Sequence, residues 1–369
     1  MKTRKGFRMI SLLICGLLIL SLAACGGGDQ DTSGEGDGKQ VIKLTIGAGH
    51  PYGSMPYVTA ADDFFVSEIS KRVEESTDYS IQWTTAYGGS VAKLAEVIGA
   101  VENGLLDVGL TWSGFEPSAL LIHNINAYIP FNTPDAVQAI RVTSKLYDEF
   151  PDFKQVLEDR NQKFLGLGAV GNYQLLTTFP VNTLEDVKGV KVCAAGPNLT
   201  LLSGTGAIPI QGDLTEAYSS FDSGVYEGWI MYPASTYGFK LHEVAPYQTN
   251  LDFGAVAAAL ITINLDTWNG LPTEVQDIMT KVGKEYEAYA GEHANEANEN
   301  GLNAMLDEGF TVTDFPFEEK EKWAAVLPNV PMDFAAEANS KGYPGTEIVT
   351  RYLELLVEEG YQLPRNWLE

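Results

Sequence analysis

The sequence predicts an α/β protein of two lobes, and three observations predict it. Short β-type runs alternate with amphipathic stretches, the pattern of strand–helix–strand units with mainly parallel pairing. That alternation runs through two similar cycles, and 369 residues exceed what one core of about 150 residues holds. Residues 272–306 keep apolar side chains three and four apart with no internal proline, which predicts a helix long enough to lie across both lobes. Lobe I is placed at residues 41–168, completed by about 252–290, and lobe II at 169–251, completed by about 291–369.

The elements follow in order. Val41 to Ile46 reads as a strand ending at Gly47; Phe64, Phe65, Ile69 and Val73 set a helix over 60–76, and Ile81 to Thr84 alternates as the next strand. Residues 94–101 are helical, Asn103-Gly104 stops them, and Asp107 to Trp112 is a third strand. The second cycle begins near Phe164 to Gly168, runs through Val190 to Cys193, and includes a helix over 215–223 and a strand at Gly228 to Met231. Phe253 to Asn264 is apolar enough for a buried strand. Ligands of open α/β sheets gather at the carboxyl ends of strands, so Trp112 and the following Ser113-Gly114-Phe115 are placed at a cleft.

Composition narrows the function. The chain is 45% hydrophobic and 11% aromatic, ample for a packed core, and its net charge is -25 with a pI near 4.4. Such a body repels phosphate backbones and anionic lipid surfaces, which excludes nucleic acid and a polybasic membrane footprint. Lys2, Arg4, Lys5 and Arg8 precede an apolar run from Met9 to Leu20, the layout of a secretion signal over residues 1–24. Leu22-Ala23-Ala24-Cys25 resembles the bacterial lipobox, which implies a lipid on Cys25 as the new N-terminus. Removal of the signal takes away four positive charges and no negative one, leaving -29. Residues 25–40 combine glycine with acidic residues and read as a flexible tether. Asp29, Asp31 and Ser33 begin a calcium-loop pattern, but its twelfth position is Gln40, where a bidentate Glu is needed.

Catalytic constellations are missing from the sequence. His50, His123, His242 and His293 are scattered without metal-ligand spacing, and no Gly-x-Ser-x-Gly or phosphate-binding Gly-x-x-x-x-Gly-Lys occurs. Gly204-Thr205-Gly206 lacks the third glycine of a dinucleotide fingerprint. No metal or cofactor is expected. Cys193 is the single cysteine of the body after Cys15 leaves with the signal, so no intrachain disulfide framework forms there.

A family resemblance emerges from several stretches together. Lys188-Gly189-Val190-Lys191-Val192, Gly206-Ala207-Ile208-Pro209, Glu216-Ala217-Tyr218, Gly224-Val225-Tyr226-Glu227-Gly228, Lys240-Leu241-His242-Glu243-Val244 and Leu271-Pro272-Thr273-Glu274-Val275-Gln276 resemble the solute-binding subunits of TRAP transporters, the DctP-type family. Tyr87-Gly88-Gly89-Ser90 and Gly104-Leu105-Leu106-Asp107 are similar to its Pro-Gly-Gly and Gly-x-x-Asp stretches. The resemblance implies a periplasmic-binding-protein-like fold with crossing strands and a long helix spanning both lobes. It also implies an extracytoplasmic receptor, here anchored to the cell membrane by its lipid, that delivers a small organic solute to TRAP membrane subunits. The alternatives are a receptor for a membrane sensor and an exported α/β enzyme; the missing catalytic constellation counts against the latter.

The same resemblance implies an arginine that grips the solute's carboxylate where this chain has Cys193, and often another where it has Tyr173. A thiol and a phenol do not supply that cationic fork, so an aromatic or neutral solute fits better than a simple acid. The candidate ligand contacts are Tyr52, Tyr87, Gly89, Trp112, Tyr173, Cys193, Trp229, Met231 and Tyr232, at predicted strand ends or at positions matching the family's cleft. Each aromatic is equally explained by core packing, Gly88-Gly89 by a plain strand-to-helix turn, and Cys193 by an inert buried thiol.

Overall fold

Nine strands form one sheet, and their order shows how the two halves join. They are β1 (Gln40–Ala48), β2 (Tyr79–Ala86), β3 (Val108–Trp112), β4 (Gln162–Thr177), β5 (Lys191–Ala194), β6 (Ile208–Gln211), β7 (Gly228–Met231), β8 (Tyr247–Asn264) and β9 (Thr311–Asp314). The order is β2-β1-β3-β8-β4-β7-β5-β6, with β9 beside β8. The computed structural model describes residues 38–212 and 214–369. The expected secretion signal, Cys25 and the expected tether up to residue 37 lie outside the described residues.

Each end of the sheet is a parallel set. β1 pairs in parallel with β2 and β3, and β5 with β6 and β7. The two sets are joined through the long strands β8 and β4, which run antiparallel to each other, to β3 and to β7. The mainly parallel pairing expected from sequence therefore holds within each set and fails at the centre, because alternation of elements does not fix the direction of a strand that crosses between sets.

The crossing strands are irregular where they pass from one set to the other. Their register shifts repeatedly between Phe164 and Leu175, and Asp252 (φ 55°) and Gly254 (φ 118°) leave the strand conformation. A polar brace holds this bend. Asn172 Nδ2 and Gln174 Nε2 donate to Asp252 Oδ1 at 2.7 and 2.9 Å, Gln174 Oε1 accepts from the Asp252 amide, and Lys320 pairs with Asp252 Oδ2 at 2.5 Å.

The helix Thr273–Asp307 spans both halves, as expected, and at 35 residues is about 52 Å long. Gly283 sits against the Leu165 carbonyl of β4, too close for any side chain, and a Cβ on Gly301 would lie 3.0 Å from Ala234 in the helix Pro233–Gly238. Tyr286 Oη donates to the Tyr57 carbonyl, tying its middle to the first set. The last helix is Gly345–Glu358. It packs on the helix Ala136–Glu149, where Arg351 pairs with Glu149 at 2.7 Å and Arg141 with Glu359. Its buried apolar face carries Ile348, Tyr352 and Leu356, and Asn126 Nδ2 donates to Tyr352 Oη.

Candidate functional site

The carboxyl ends of β1, β3, β5, β6 and β7 converge on one cavity of about 660 Å³, within the range that holds a small organic molecule. The loop after β1 brings His50, Ser54 and Met55, and Tyr57 follows on the next helix. Trp112 ends β3, and Gly114 beneath it has no room for a side chain, since a Cβ would lie 2.9 Å from the indole Nε1. From the other half come Ala195 to Asn198 after β5, Gln211 and Gly212 at the end of β6, and Trp229 to Tyr232 at the end of β7. Tyr173, Val170, Val256 and Ala258 on the crossing strands form the floor.

Aromatic rings set its shape. Tyr57 and Trp112 pack with centroids 5.7 Å apart, and Tyr173 meets Tyr232 edge to face at 5.2 Å. Tyr232 Oη lies 3.0 Å from Met55 Sδ, a contact that bridges the two halves across the cavity. Burial raises the phenols of Tyr57, Tyr173 and Tyr232, the last to about 12, so each keeps its proton at neutral pH.

Charge is the missing property. Among the described residues, no Asp, Glu, Lys or Arg lines this cavity. Burial pushes His50 down to about 4, so its imidazole is neutral at physiological pH. The five arginines of the described chain are engaged elsewhere: Arg72 with Glu68 and Glu285, Arg141 with Glu359, Arg160 with Glu102, Arg351 with Glu149, and Arg365 with the Ala324 and Leu327 carbonyls.

Of the residues singled out from sequence, Trp112, Tyr173, Trp229, Met231 and Tyr232 line the cavity. Tyr52, Tyr87, Gly89 and Cys193 do not. Tyr52 is half exposed with its hydroxyl on Asp63, and Tyr87 donates to Asp62 at 2.8 Å; both carboxylates come from the π-turn Ala61–Val66. Gly89 (φ 73°) turns the chain and donates its N–H to the Ala48 carbonyl. Cys193 is fully buried one layer behind the wall, with burial pushing its thiol up to about 12. Its Sγ lies where a side chain on Gly212 would stand, and Trp229 packs on the same glycine. The sequence reading missed His50 and Tyr57. His50 follows the end of β1, where the sequence offers only its lack of metal-ligand spacing, and Tyr57 lies in a helical turn that begins at Pro56, before the expected start at 60.

No three of the described His, Cys, Asp or Glu side chains come together as metal ligands. The family model for bacterial extracellular solute-binding proteins, family 7, named DctP, matches residues 59–337. The chain belongs to the DctP family. Its members are solute-binding receptors rather than enzymes, and they work outside the cytoplasm. This DctP-family chain is 29% identical over 226 residues to a solute-binding protein of Sulfitobacter sp. (strain NAS-14.1), covering 60% of this chain and 66% of the relative. It is 28% identical over 174 residues to the C4-dicarboxylate-binding periplasmic protein DctP of Rhodobacter capsulatus, covering 46% of this chain and 52% of that one. The chain thus spans between about half and two thirds of these curated relatives.

Solved structures agree on the fold. A TRAP periplasmic solute-binding protein of Desulfovibrio salexigens, an open complex, superposes with a TM-score of 0.78 at 20% identity, covering 87% of this chain and 98% of its own. A TRAP solute-binding protein of Rhodoferax ferrireducens in complex with copurified benzoate gives 0.74 at 18%, with 86% and 98% covered. At these identities the likeness establishes a two-lobed periplasmic-binding fold.

Proposed function

We propose that this DctP-family protein is the solute receptor of a TRAP-type secondary transporter, lipid-anchored through Cys25 at the outer face of the cell membrane. It captures one small organic molecule in the cavity between its halves and passes it to the membrane subunits. The observation that carries this reading is the cavity built from strand ends of both halves, bridged by the Tyr232–Met55 contact. Family membership supports the receptor role, and the lipobox supports the anchor. The relatives named for their ligands bind acids: a C4-dicarboxylate, benzoate and, in Sulfitobacter, β-D-galacturonate. This cavity offers flat aromatic walls, and we assign the solute contacts to Trp112, Tyr173, Trp229, Met231 and Tyr232, with an aromatic or apolar body as the expected cargo. Tyr52, Tyr87, Gly89 and Cys193 would then act on the solute through the loops and wall they support.

Denaturing the protein purified from its own host and identifying the released molecule by mass spectrometry tests the receptor role. One small molecule per chain is the expected result, and loss of its uptake when the TRAP membrane subunits are deleted ties the receptor to that permease. Cys25→Ala should abolish lipid attachment; a lipidated variant would overturn the anchor.

A further inference from the structure

The cavity wall contains one imidazole whose hydrogen bonding is half used. His50 Nδ1 lies 2.8 Å from Tyr57 Oη, and the ring stands edge-on to Tyr57 and to Phe115, with centroids 5.9 and 6.1 Å away. Tyr57 is 2% exposed, and Nδ1 is the only hydrogen-bond partner of its hydroxyl among the described residues. A buried phenol that gave its proton to nothing would leave a donor unsatisfied, so Tyr57 donates and Nδ1 accepts. The neutral ring then carries its hydrogen on Nε2, and the ring's one hydrogen bond among the described residues is the one at Nδ1. The ring is therefore a single fixed donor in the wall of a cavity that carries no formal charge among the described residues.

The chemistry of such a wall selects against ions. A carboxylate that enters gives up its hydration and meets phenols, amides, a neutral imidazole and indole faces, with no guanidinium or ammonium among the described lining residues to replace the lost water. An uncharged solute loses far less on entry, and a carbonyl or ether oxygen on it can take the Nε2–H while its ring lies against the indoles. The thiol behind Gly212 does not change this, because burial keeps it neutral.

From this geometry we infer that the cavity takes an uncharged aromatic solute bearing a hydrogen-bond acceptor, with His50 Nε2–H as the donor that reads the acceptor. The inference rests on the receptor reading and departs from the acids bound by the named relatives. His50 is a specificity residue here, and Tyr57 the residue that fixes its tautomer.

The test uses isosteric pairs that differ only in charge: benzamide against benzoate, and 2-naphthamide against 2-naphthoate, titrated calorimetrically into the purified protein at pH 7.5. At least one amide should bind, and its acid partner should bind about tenfold more weakly or worse, as an unpaired buried charge demands. His50→Phe should lower amide affinity about tenfold by removing the donor, His50→Gln should restore part of it, and acid binding should not respond to either change. A purely structural role for His50 would move amide and acid together. An acid that binds as tightly as its amide at pH 7.5 overturns the proposal and leaves the receptor reading in place. So does the absence of any amide binding while the native protein still releases a small molecule on denaturation. No binding and no released molecule would overturn both.

Discussion

Cys193 and Gly212 show how a single position changes a cavity wall. With a small thiol at 193, the neighbouring strand can carry glycine at 212, and Trp229 closes over both. Gly212→Ala should therefore destabilise the protein by about 1–3 kcal/mol, because the added methyl has no space. Cys193→Ala in the same chain should recover much of that loss, and urea midpoints of the two single variants and the double variant measure it; simple additivity would contradict the packing. Acid sensitivity belongs to this scale too. Burial lowers His50 to about 4 and fully buried His123 to about 3, so between those values and the ordinary 6.5 the unfolded chain binds protons that the folded chain refuses. Stability is then present near neutral pH and lost as pH falls below 6.5, by up to about 2 kcal/mol per histidine at pH 5. Urea unfolding at pH 7.5 and 5.0 should show a fall that shrinks in His123→Gln; an unchanged fall would contradict it. The sequence singled out Trp112, Tyr173, Trp229 and Tyr232 because each stands at a predicted strand end or at a position matching the family's cleft, and all four line the cavity. Cys193 was singled out because the family resemblance implies an arginine there, and a short thiol at that position stays behind Gly212 instead of reaching the cavity.

Among the elements, β7 carries the boundaries expected from sequence, and the long helix differs from expectation by about one residue at each end. For β4 and β8 the sequence pattern marks only 164–168 and 253–264, because polar residues interrupt it beyond those stretches. Asn172, Gln174 and Asp252 break the apolar pattern at the place where they brace the bend. Chain direction was equally out of reach, since pairing partners are settled by tertiary contacts that no local pattern records. The long helix is held by close glycine contacts along its length, at Gly283 and Gly301. Gly283→Ala should cost about 1–3 kcal/mol through collision with the Leu165 carbonyl. Gly99, in the short helix Val97–Glu102, meets nothing within 4 Å of an added Cβ. Gly99→Ala should accordingly be neutral or slightly stabilising, and thermal melts of the two variants check the contrast.

For the whole molecule, two parallel sets joined by bent crossing strands form a body that can close on its cargo. X-ray scattering should show a smaller radius of gyration with bound solute than without, and Asp252→Ala, which cuts the brace at the bend, should shift that difference. The central claim is that the cavity between the halves is where the solute is held. The most direct measurement is calorimetry of the molecule released from the native protein, titrated back into stripped wild-type protein and into Trp112→Ala. The account predicts one site per chain and an affinity reduced about tenfold or more in the variant, as loss of an aromatic wall entails. Equal affinity in the two proteins would contradict it.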